Sequence, residues 1–130
     1  MKKLIFYTYP SCTSCRKTKG WLKEHAISYE ERHLFRNRPN VTELMELIKL
    51  SKSGVEDILA TRSTTYKQLG VDLDNLPLSR ALQLLSEEPK LLRRPILTDG
   101  ERLVVGYHQD DLMQMAFRKT EDKKQTAIKS

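Results

Sequence analysis

Cys12 and Cys15 are the only two cysteines in the 130 residues, and they stand in the run Tyr9-Pro10-Ser11-Cys12-Thr13-Ser14-Cys15-Arg16-Lys17. A thiol can attack as a nucleophile, ligate a metal or form half of a disulfide, so the pair has three chemistries open to it. A tetrahedral zinc ion needs four protein ligands, or three in a catalytic site. His25, His33 and His108 are scattered, none at ligand spacing from a neighbour, so neither a metal nor another cofactor is expected. Redox chemistry and inert packing remain. At a strand-to-helix junction the free backbone N–H groups and the helix dipole favour an anion, which makes Cys12 prone to ionise. Arg16 and Lys17 add positive potential, and the short loop lets the second thiol capture an oxidised first one as a reducible disulfide. That placement favours redox chemistry, without separating an enzyme from a sensor.

Two arginine positions could serve such a site. Arg93-Arg94-Pro95-Ile96 reads either as a strand start with exposed arginines or as a tight turn with a cis X-Pro bond. The second reading would place Arg94 facing an anion or the Cys12 thiolate, and spacing alone leaves both open. Arg62, in Thr61-Arg62-Ser63, reads on its own as an ordinary exposed arginine.

The elements that must position these residues are legible from periodicity. Leu4 to Tyr7 is an apolar run of strand formers ending at a Tyr9-Pro10-Ser11 turn signal. A helix follows from about Thr13 to His25, then a second strand within Ile27 to Phe35 and a polar link from Arg36 to Asn40. Val41 to Glu88 is helical throughout, with Leu44, Leu47 and Ile48 on one face and Leu78, Leu82 and Leu85 on another. Ser53-Gly54, Gly70, Pro77 and Pro89 divide it into short helices. Ile96-Leu97-Thr98 and Arg102-Leu103-Val104-Val105 flank Asp99-Gly100 as a hairpin, and Asp110 or Asp111 opens a last helix with Leu112, Met113 and Met115. The fold class is α/β: a small mixed sheet of about four strands with helices packed around it.

Length and composition set the outer bounds. One core suffices, so residues 1–117 are expected to form a single domain, with a helical insert at about 41–89 and a disordered basic tail at 118–130. No stretch approaches the roughly 20 apolar residues of a membrane span. The opening Met1-Lys2-Lys3-Leu4-Ile5-Phe6-Tyr7 loses its apolar character too soon for a signal peptide, so a cytoplasmic location is expected. The formal charge of +6 invites a nucleic-acid reading, yet three of those charges belong to the tail, where a solvated basic run is the simpler explanation.

Taken together, Pro10-Ser11-Cys12-Thr13-Ser14-Cys15-Arg16-Lys17, Ala60-Thr61-Arg62-Ser63, Leu91-Leu92-Arg93-Arg94-Pro95-Ile96 and Val105-Gly106-Tyr107 resemble the Spx regulators of Gram-positive bacteria, within the arsenate reductase superfamily. Glu31-Arg32-His33-Leu34-Phe35-Arg36 and Ile58-Leu59-Ala60-Thr61-Arg62-Ser63 are most similar to its MgsR-like branch, which modulates the general stress response. The resemblance implies a thioredoxin-like domain with an inserted helical subdomain, monomeric, that binds the C-terminal domain of the RNA polymerase α subunit. Promoter choice would then follow redox state, with promoter DNA approached only within the polymerase complex. By position it implies that Cys12 and Cys15 form the switch disulfide, that Gly54 is required for polymerase binding, that Arg94 supports redox sensing and that Arg62 lies near the DNA-facing side. It also implies turnover by the Clp protease, although the ending Ala127-Ile128-Lys129-Ser130 differs from the Spx ending. The alternatives are enzymes. An arsenate reductase would use Cys12 as nucleophile and Arg16, Arg62 and Arg94 to hold the oxyanion; a thiol-disulfide oxidoreductase would turn over protein substrates. Against the reductase, Thr13 stands where reductases carry Gly and Val105 where they carry Arg, and loss of a charge-stabilising arginine costs orders of magnitude in rate.

Overall fold

The computed structural model describes residues 4–61, 63–70 and 75–116. Arg62 and the tail at 118–130 lie outside the described residues. Strand β1 (Ile5–Thr8) leads through helix α1 (Thr13–Glu24) to β2 (Glu30–His33). Among the described residues four α-helices follow, α2 (Val41–Leu50), α3 (Val55–Ile58), α4 (Thr64–Leu69) and α5 (Leu78–Glu87), then a 3-10 turn at Pro89–Leu91. The hairpin β3 (Ile96–Thr98) and β4 (Leu103–Val105) completes the sheet, and residues 109–116 are helical. Strand order is β2-β1-β3-β4, with β1 parallel to β2 and the other two pairings antiparallel. This is the expected α/β mixed sheet of four strands.

Period-2 alternation divides the core between the two faces of the sheet. Tyr7 and Ile96 point to one face and share a buried cluster with Leu44, Leu47, Ile58, Leu82, Leu85 and Leu92 of the helical insert. Phe6, Leu97 and Val104 point to the other, meeting Trp21 and Leu22 of α1 and Leu112 and Met115 of the last helix. The insert therefore packs its apolar face directly on the sheet.

Several boundaries are tighter than periodicity suggests. Strand β2 covers only Glu30–His33 of the expected Ile27 to Phe35, and it is an edge strand, which explains its charged sequence. The turn after β3 is longer than a two-residue Asp-Gly loop. Asp99 Oδ1 accepts from the N–H groups of Glu101 and Arg102 at 2.9 and 2.8 Å, so its side chain organises the turn. Pro77 precedes α5 and Gly70, at φ +67°, caps α4, as expected of those residues.

Candidate functional site

Helix α1 begins where its sequence changes from Tyr9-Pro10-Ser11 to good helix formers, and Cys12 is its N-cap. The Cys12 sulfur accepts the Cys15 backbone N–H at 3.3 Å, doing for the helix start what Ser or Asp usually does. The Cys12 N–H donates to the Tyr9 carbonyl at 3.1 Å, closing the loop. Both cysteines are free thiols, and they are unequal. Cys12 is partly exposed, whereas Cys15 retains only 2% of its exposure. Burial pushes the Cys15 thiol up to about 11, a hydrogen bond to Cys12 adds to the rise, and the Thr8 side chain and Tyr9 backbone oppose it. At neutral pH Cys15 therefore holds its proton, leaving Cys12 as the accessible sulfur.

A cleft of about 310 Å³ opens beside the pair, lined among others by Tyr9, Cys15, Arg16, Lys19, Glu31 and His33. Lys19 of α1 and Glu31 of β2 bridge it at 3.0 Å. His33 accepts the N–H groups of Phe35 and Arg36 on Nδ1, both at 3.1 Å, which puts its ring proton on Nε2 and fixes the turn after β2.

Arg94 precedes a cis proline, the second of its two sequence readings. Its guanidinium lies over the rings of Tyr9 and Phe35, 5.5 and 5.9 Å from their centroids, and those rings are 4.4 Å apart. Its described contacts are thus with the aromatic neighbours of the thiol loop. Arg93, its neighbour in sequence, serves the insert instead, donating from Nε to the Leu59 carbonyl at 3.0 Å. Periodicity gave no sign of Tyr9 and Phe35 as a pair. The signal lay in the register of the parallel strands, which pairs Thr8 with His33 and brings the residues beyond them together.

Gly54 is far along the chain from the thiols, between α2 and α3, as the N-cap of α3. Its φ of +73° is strained for any residue with a Cβ, while a Cβ built there meets nothing within 4 Å. Asp57 Oδ2 ties down the preceding turn by accepting from the N–H groups of Lys52 and Ser53 at 2.8 and 2.9 Å. The insert is fastened to the sheet by Glu43, which no motif singled out. Its Oε1 accepts the Asn40 N–H at 3.1 Å in a capping box, both its oxygens pair with Arg32, and the Tyr7 hydroxyl donates to Oε2 at 3.4 Å. Arg32 holds the Glu43 carboxyl below the usual carboxylate range, and burial pushes Tyr7 up to about 12.

A thioredoxin-like sheet carries a C-x-x-C pair at the start of α1, with one cysteine partly exposed and the other buried. The chain belongs to the ArsC family, whose model matches residues 7–115. It is 50% identical over 119 residues to regulatory protein MgsR of Bacillus subtilis (strain 168), covering 92% of this chain and 94% of MgsR. It is 45% identical over 116 residues to the global transcriptional regulator Spx of Listeria innocua, covering 89% of this chain and 88% of Spx. Among solved structures, an ArsC family related protein from Bacteroides fragilis aligns with a TM-score of 0.78 at 31% identity, covering 86% of this chain and 96% of that one. A protein described as a possible arsenate reductase from Streptococcus mutans UA159 aligns with a TM-score of 0.76 at 29% identity, covering 86% and 98%. The resemblance read from the motifs thus holds over most of the chain, and relatives of both names, regulator and reductase, share the fold. Among the described residues no helix is long and apolar enough to cross a membrane.

Proposed function

We propose that this protein is a redox-responsive transcription regulator that binds the C-terminal domain of the RNA polymerase α subunit and redirects promoter choice through a Cys12–Cys15 disulfide. The observation that carries the redox half is the unequal pair: an accessible Cys12 at the helix start beside a buried, protonated Cys15. With peroxide as oxidant, the Cys12 thiolate attacks one oxygen, giving a sulfenic acid and hydroxide, which takes a proton to become water. Cys15 then displaces the sulfenic oxygen as a second water and the disulfide closes. A dithiol reductant returns both sulfurs to thiols. The polymerase half is supported by the two named regulators at 50% and 45% identity.

The second reading, an arsenate reductase, is favoured by the shared fold. At the position where reductases carry an arginine, Val105 packs against the core cluster on the insert face, so no guanidinium is present there to stabilise an oxyanion. Two assays on one preparation test the proposal: binding of the purified α domain, and thiol-dependent arsenate turnover. Binding with turnover far below about 1 per second supports the regulator. Enzyme-like turnover without α-domain binding overturns it.

A further inference from the structure

A cation that is to act on a thiol must be held close to the thiol loop without losing its charge to a carboxylate. Arg94 meets that requirement. Among the described residues neither a carboxylate nor a carbonyl pairs with its guanidinium, which rests on the faces of Tyr9 and Phe35. An ion pair would fix the guanidinium but cancel its field, whereas a ring quadrupole fixes it and leaves the full charge in place. The two rings reach this position from different elements. Tyr9 belongs to the thiol loop itself, its carbonyl accepting the Cys12 N–H. Phe35 follows β2, and its backbone is set by the two N–H groups that His33 Nδ1 accepts. The His33 ring also meets Tyr9 and Phe35 edge-on, each at 5.9 Å.

Resting on the redox reading above, we infer that Tyr9 and Phe35 are positioning residues for the thiol switch: together they form an aromatic seat that holds Arg94, uncompensated, beside the Cys12 loop. The seat sets how readily Cys12 reacts and how easily the disulfide is reduced. Neither ring touches the reacting atoms; both act through Arg94.

The test uses the full chain with Phe35→Leu, Tyr9→Leu, the conservative Phe35→Tyr and Tyr9→Phe, and Arg94→Gln as reference. Melting temperature is recorded for each. The readouts are the rate of Cys12 alkylation against pH, localised by mass spectrometry, and the dithiol–disulfide equilibrium against a dithiothreitol buffer. Phe35→Leu and Tyr9→Leu are expected to slow Cys12 alkylation at pH 7 by about 3- to 10-fold and to move the rate–pH profile to higher pH, as Arg94→Gln does. Either one combined with Arg94→Gln should add less than twofold further, because both changes remove one effect. Phe35→Tyr and Tyr9→Phe should stay within twofold of wild type. A folded Phe35→Leu or Tyr9→Leu with wild-type profile and equilibrium overturns the seat even where Arg94→Gln is shifted, as does a full additional loss in the double variants. If no Cys12–Cys15 disulfide forms in the wild-type chain, the redox reading fails and takes the seat with it.

Discussion

Cys15 and Cys12 are three residues apart, yet their surroundings give them opposite tasks. Cys15 is buried against Thr8 and the Tyr9 backbone, its thiol pushed up to about 11, while Cys12 is partly exposed at the helix start. At pH 8, iodoacetamide should therefore label Cys12 well before Cys15, with peptide mass spectrometry reading the order; equal labelling would contradict the assignment of roles. The same shift has a consequence for stability. Because the folded chain holds the Cys15 proton more tightly than an unfolded thiol of ordinary pKa near 8.5, its contribution is complete below that value and is lost as pH rises through about 11. Cys15→Ala should flatten the alkaline decline in denaturation midpoint over that window, leaving the Tyr7 contribution at still higher pH. The pairing of the cysteines and their helix-start placement were legible in the motif. Their inequality was not, because it depends on how α1 sets Cys15 against Thr8 and Tyr9 at the end of β1, which the motif does not fix.

Among the elements, those with strong local signals were readable: β1 from its apolar run, α5 from its leucine spacing, and the end of α4 from Gly70. Strand β2 was blurred because an edge strand carries charge where an inner strand carries Val or Ile. The Glu43–Arg32–Tyr7 fastening was invisible because it joins α2, β2 and β1, although the capping box at Asn40 was local. Glu43→Gln keeps the shape and removes the charge, and should cost about 1–3 kcal/mol, the usual range for a hydrogen bond to a charged group. The lowered Glu43 carboxyl stabilises the fold above the ordinary carboxylate range and loses that effect as pH falls through its depressed value, so the variant should also show a shallower acid limb. Urea denaturation at pH 7 and pH 4 checks both. A Glu43→Gln protein as stable as wild type at pH 7 would remove the fastening role. Gly54 poses a different question, since its positive φ already explains a glycine there. Gly54→Ala and Gly54→Arg share that backbone cost of about 1 kcal/mol or more, and the Cβ of either enters open space. If the turn is all that matters, the two variants should bind the polymerase α domain alike. If this surface meets the α domain, Ala should retain binding while Arg loses it at a similar melting temperature. Wild-type affinity in a folded Gly54→Arg protein would remove the residue-level case for that partner.

At the scale of the whole molecule, the sheet separates two sets of features. The thiol pair, its cleft and the Arg94 seat gather at the ends of β1 and β2 and the start of α1. The insert, carrying Gly54, packs on the sheet face that Tyr7 and Ile96 supply. Regulation by oxidation requires that chemistry at the first be felt by whatever the molecule binds. The most direct measurement is transcription of genomic DNA by purified RNA polymerase, with the wild-type chain supplied in dithiol or disulfide form and the transcripts sequenced. The account predicts two different transcript sets, a difference that disappears with polymerase lacking the α C-terminal domain, and a Cys12→Ala protein that yields the dithiol set with or without oxidant. A single transcript set, identical for both forms and unchanged when the protein is left out, would contradict it.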